Sequence, residues 1–189
     1  MKITIIGDNP EYFNFLQNFE LVTDISNADI VIFSNHFNYR SAAMKFNKIS
    51  KDKLVIGIGE TGLEFLIKRY GGAYIFKEGS IKKVSKNNSL QVYNTTDDVI
   101  YECVPHSYLI RPKCNYKVIG SCPFIHYNLS SLTMNEVAFI QAHNFPVVTI
   151  MKSENKPFCL LLGLNPQYIS KTSISEYINY LICTYNQLL

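Results

Sequence analysis

The stretch Leu54-Val-Ile-Gly-Ile-Gly-Glu-Thr-Gly-Leu-Glu-Phe-Leu66 decides the fold. Lys53 to Ile58 is an apolar run of strand length, continuous rather than alternating, as strands buried on both faces are. Gly57, Gly59 and Gly62 give the turn that follows its small residues. Thr61 to Tyr70 then reads as a helix, stopped by Gly71-Gly72. Upstream, Asp29 to Ser34 is a second buried strand. Lys2 to Ile6 is a third, closed by Gly7-Asp8-Asn9-Pro10, where Pro10 suits the first turn of a helix. Tyr12, Phe13, Phe15, Leu16 and Phe19 continue that helix, Leu21 to Thr23 forms a short strand, and Arg40 to Ile49 a further helix. Strands alternating with helices up to Gly72 predict an α/β fold, a doubly wound, mostly parallel sheet flanked by helices.

Beyond Gly72 the pattern changes. Ala73 to Phe76, Leu90 to Tyr93, Val99 to Cys103, Ser107 to Ile110 and Lys117 to Ser121 are short strand-like pieces joined by polar turns. Val137 to Ala142, Val147 to Met151 and Phe158 to Leu164 continue them, with Asn155-Lys156-Pro157 as the turn before the last. They predict an antiparallel β-rich excursion in the middle of the chain. Ser173 and Glu176 form a capping box for a closing helix, from about Ile174 to Leu188.

With 189 residues, 47% of them apolar and 17% charged, the chain fits one globular domain, residues 1–189, and not a disordered segment. The net charge of +3 and the single Lys82-Lys83-Lys86 cluster argue against a nucleic-acid partner. Five cysteines without Cys-x-x-Cys spacing suggest neither a disulfide framework nor a metal site, and Cys159 and Cys183 read as core thiols. No apolar run reaches membrane-spanning length, and Met1-Lys-Ile-Thr-Ile-Ile-Gly7 enters a strand too directly for a signal peptide. The expectation is a cytoplasmic protein with reduced thiols, no cofactor and no membrane partner.

A second segment gives the first one its meaning. Leu160-Leu-Leu-Gly-Leu-Asn-Pro-Gln-Tyr168 is an apolar strand that ends on Asn165-Pro166-Gln167. Together the two segments resemble class I glutamine amidotransferases, and the order of elements carries the resemblance along nearly the whole chain. That family implies a flavodoxin-like core. Its strand–turn–helix nucleophile elbow carries a Cys in a Gly-hydrophobic-Cys-x-Gly-x-Gln pattern, and a later strand ends in His-Pro-Glu. Here the nucleophile position falls on Glu60 if Gly62 and Glu64 are matched to Gly-x-Gln. It falls on Gly59 if Gly57-Ile58 is matched to Gly-hydrophobic. Neither register supplies Cys, Ser or Thr, although Thr61 lies one residue beyond Glu60.

Asn165 and Gln167 stand where the base and its orienting carboxylate belong. Asn cannot shuttle the thiol proton, and Gln cannot stabilise an imidazolium as a carboxylate does. The resemblance therefore implies a pseudoenzyme with a degenerate active site. It would bind a small molecule in the old cleft, or a protein partner, synthetase-like or other, as a regulatory subunit. Gly57, Gly59, Glu60, Thr61, Gly62, His106 and Ser107 are the expected binding residues. The alternative is an amidohydrolase or amidotransferase with re-invented acid/base chemistry, using Glu60 with His106 or His36. A nucleotide-binding module is a third reading, weakened because Gly7-Asp8-Asn9-Pro10 is no Gly-rich phosphate loop.

Overall fold

The computed structural model describes residues 1–7, 19–70, 73–76, 90–93, 99–103, 109–112, 116–122, 145–151 and 153–163. Among them the chain forms, in order, β1 (Lys2–Ile6), β2 (Glu20–Leu21), β3 (Ile30–Phe33), α1 (Tyr39–Phe46), β4 (Leu54–Ile58) and α2 (Gly59–Arg69). There follow β5 (Ala73–Phe76), β6 (Leu90–Tyr93), β7 (Val99–Cys103), β8 (Leu109–Pro112), β9 (Tyr116–Cys122), β10 (Phe145–Met151) and β11 (Phe158–Leu162).

Nine of these strands make one mixed sheet, in the order β2-β1-β3-β4-β11-β10-β9-β6-β7, while β5 and β8 pair separately. From β2 to β11 the neighbours run parallel. From β11 to β7 they run antiparallel. The expected α/β class is therefore present, with a parallel half and an antiparallel half in one sheet. The expected strand Val137 to Ala142 and the helices after Pro10 and Ser173 lie outside the described residues.

Both faces of β3, β4 and β11 are buried, which explains their continuous apolar runs. The register aligns Thr4, Val31, Val55 and Cys159 across four strands, and then Ile6, Phe33, Gly57 and Leu161. Apart from Thr4 and Gly57, these residues share one core cluster with Ala42 and Phe46 of α1 and Leu63, Phe65, Leu66 and Ile67 of α2. Both described helices thus pack on this face. The other face carries Ile3, Ile30, Ile32, Leu54, Ile56, Ile58, Leu160 and Leu162, all buried as well.

The boundaries differ from the sequence expectations where backbone chemistry intervenes. The helix expected from Arg40 begins at Tyr39, because the Asn38 side chain caps it by accepting from the Ser41 N–H at 3.0 Å. It ends at Phe46, and Lys48 and Ile49 close tighter turns onto Lys45 and Phe46. Strand β8 starts two residues beyond the expected Ser107 and runs to Pro112, a residue tolerated at a strand end where no ladder donor is needed. Strand β10 starts at Phe145 instead of Val147. It carries Pro146 beside a register shift against β9, as a missing N–H dictates.

Cys159 is fully enclosed on the helix face, and burial pushes its thiol well above the ordinary range. Iodoacetamide labelling at mildly alkaline pH, read peptide by peptide, is expected to spare Cys159 in the native protein and to modify it in urea. Native labelling as fast as labelling in urea would mean that the helix layer does not seal this face.

Candidate functional site

The carboxyl ends of β1, β3, β4 and β11 lie at one end of the parallel half, where open α/β sheets place their ligands. The residues there are Gly7, the loop Ser34-Asn35-His36, and the turn Gly59-Glu60-Thr61 that starts α2. Strand β11 joins them because Leu162 pairs with Ile58, one residue before that turn. Asn165, Gln167, His106 and Ser107 lie outside the described residues.

Strand β4 passes into α2 without a linker. Ile58 is still extended at φ −138°, and Gly59, already the first helical residue, takes φ +72°. A left-handed residue between strand and helix is the tight reversal that an elbow requires, and glycine adopts it without steric cost. Glu60 and Thr61 then follow as ordinary first-turn residues. The helix thus starts two residues before the expected Thr61, and the apex of the turn is Gly59.

Gly62 brings α2 against β3. A methyl group there would run into the Phe33 carbonyl oxygen and stand 2.7 Å from its carbon. Gly57 lies in the same contact, with Leu66, Leu161 and the Gly62 carbonyl around it. Glycines at these two positions therefore set the helix–sheet distance.

The loop after β3 is pinned just as firmly. Phe33 stacks on Phe65 with centroids 4.8 Å apart, and Phe37 meets the same ring edge-on at 5.3 Å. The Arg69 guanidinium lies 5.4 Å from the Phe65 centroid, closing the cluster from its outer side. With Phe33 and Phe37 both held by α2, the loop between them has little freedom. His36 accommodates the bend at φ +52°.

The consequence falls on Asn35. Its side-chain oxygen accepts the Thr61 N–H at 3.2 Å, capping α2 from another element, since Ile58 provides no side-chain cap of its own. The Asn35 carboxamide also fills the space above the turn. A Cβ built on Gly59 would lie 2.5 Å from both its nitrogen and its oxygen, and 2.7 Å from its carbon. The apex of the turn therefore carries no side chain, and the carboxamide of another residue fills the volume above it.

Asn35, and not its neighbour His36, organises this turn. The available signal was an Asn directly after a buried strand, a residue type that caps helices and tolerates tight turns. His36 is exposed and Glu60 half-buried at the same end of the sheet. Glu60 in the first turn also complements the helix dipole, as Lys68 and Arg69 do in the last. At its far end α2 is tied down by Lys156, whose ammonium donates to the Arg69 carbonyl. The Tyr70 hydroxyl donates to the Pro157 carbonyl at 2.5 Å.

Among the described residues, no group of three or more His, Cys, Asp or Glu is placed to hold a metal ion. No helix among them is long and apolar enough to cross a membrane. No protein-family model matches the chain, and no curated protein matches it in sequence.

Proposed function

We propose that this chain is a catalytically silent relative of the class I glutamine amidotransferases. On this reading it has a flavodoxin-like, doubly wound core and serves in the cytoplasm as a binding or regulatory subunit. The observation that carries the reading is Gly59. It occupies the left-handed apex of a strand–turn–helix elbow, the position from which a nucleophile would project, and it has no side chain. The geometry also favours the register in which Gly57-Ile58-Gly59 aligns with Gly-hydrophobic-Cys, and moves Glu60 off the apex.

The strand order supports the core assignment. With the β5–β10 excursion set aside, β2-β1-β3-β4-β11 follows the flavodoxin-like order, β11 taking the place of the fifth strand. The chemistry supports silence. Hydrolysis of an amide through a thioester needs a thiolate, a proton shuttle and an oxyanion donor. Gly59 supplies no thiolate and Asn165 is no shuttle.

Incubation with glutamine, asparagine and simple primary amides is expected to release no ammonia above the buffer control. Turnover that disappears in Glu60→Gln would replace this reading with the hydrolytic one, in which Glu60 works with His36 or His106. Co-purification of a synthetase-like protein with the chain would favour the subunit role.

A further inference from the structure

We propose that Asn35 is a built-in carboxamide ligand that keeps the elbow occupied from within. The inference rests on the reading of Gly57 to Gly62 as an elbow, and it deepens that reading by naming what fills it.

Two independent constraints meet on one side chain. The oxygen of the Asn35 carboxamide takes the Thr61 N–H at the start of α2. The whole carboxamide head lies within 2.7 Å of the point where an apex Cβ would stand. A substrate glutamine would bring a primary carboxamide to this apex, and a helix N-terminal N–H is a suitable donor to its oxygen. Here the chain supplies that group itself, one methylene shorter, from the loop after β3. Attack is impossible because Gly59 has no nucleophile, so the contact is never consumed by reaction.

The contact also explains two features together. Glycine at residue 59 leaves room for the carboxamide, and the Phe33–Phe65–Phe37 cluster fixes the loop that delivers it. An external amide enters only when Asn35 leaves. The elbow of the wild-type protein is thus closed to glutamine by competition from a tethered group, whose effective concentration is that of an intramolecular partner.

Truncation of the tether tests this. Thermal unfolding of Asn35→Ala is measured with increasing acetamide, alongside wild type and with acetone and acetate as matched controls. The expected result is a saturable rise of the variant's midpoint, about 3 °C relative to wild type at roughly ten times the dissociation constant. Acetone, a weaker acceptor than an amide oxygen, and acetate, which carries a charge the tethered group lacks, should not match it. The Thr61 amide resonance should move with acetamide in the variant alone. An equal response in wild type, or equal rescue by acetone, overturns the proposal. A preference for acetate overturns it too, by showing a bare anion site at the helix terminus.

Should Asn35→Ala not fold, Asn35→Ser leaves a similar gap for the same titration. The wild-type protein gives a separate check. Glutamine near its solubility limit must leave its Thr61 resonance unmoved, and a saturable shift there defeats internal occupancy. Failed rescue in a folded variant removes the carboxamide proposal while leaving the silent-elbow reading in place, because that reading is tested by ammonia release and rests on Gly59.

Discussion

Gly62→Ala is expected to destabilise the protein by about 3 kcal/mol, the upper end of the usual cost of forcing added atoms into filled space. The clash is with backbone and not with a mobile side chain. The new methyl would overlap the Phe33 carbonyl oxygen and stand 2.7 Å from Phe33 C and 3.0 Å from the Ser34 oxygen. Relief requires α2 to lift from β3, which separates the Phe33 and Phe65 rings and draws Thr61 away from Asn35. Alanine's better helix propensity returns about 1 kcal/mol, too little to compensate. Equilibrium urea unfolding measures the loss, as a shift in midpoint with an unchanged slope. A cost within about 1 kcal/mol of zero would show that α2 does not lie so close to β3.

Much of this fold was legible because its signals are local. The runs around Val31 and Val55 are apolar at every position, since each strand is covered on both faces. Ala73–Phe76, Leu90–Tyr93 and Val99–Cys103 fall where β-branched and aromatic residues stand between polar turns. The misplaced boundaries have local causes of another kind. A cap from Asn38, a proline at a strand end and a bulge beside Pro146 each move a border by a residue or two without changing the element.

The site was legible in outline only. Spacing placed a strand–turn–helix reversal between Gly57 and Gly62 but left its apex open between Gly59 and Glu60. A register match counts residues, whereas the apex is defined by a sign of φ. Asn35 carried less signal still. Its contact with Thr61 spans 26 positions and exists only because β3 and β4 are aligned so that Phe33 pairs with Gly57. No window of sequence contains both partners, and a carboxamide after a strand has many uses. His36 drew attention because histidine carries recognisable chemistry, while the residue that organises the turn is its neighbour.

The coupling between those two residues gives the second large effect. Gly59→Ala is expected to cost about 2–4 kcal/mol, from two sources that a double-mutant cycle separates. The first is conformational. An L-residue at φ +72° sacrifices about 1–2 kcal/mol relative to glycine, whatever its surroundings. The second is steric, because the methyl would meet the Asn35 carboxamide. That group ends a flexible side chain, so it yields instead of distorting the backbone, and the penalty is the cap it abandons. A helix cap of this type contributes about 1 kcal/mol, within a range of roughly 0.5–2. Asn35→Ala alone should therefore cost about 1 kcal/mol. Gly59→Ala in that background should cost only the conformational part, since no cap remains to be lost. The double variant is then expected to be more stable than the sum of the single losses by about 1 kcal/mol, a coupling well above the error for contacting residues. Additive losses would separate Asn35 from the apex and end its role as the occupant of the elbow. A coupling of the opposite sign would mean that the methyl and the carboxamide support each other, which the 2.5 Å approach forbids.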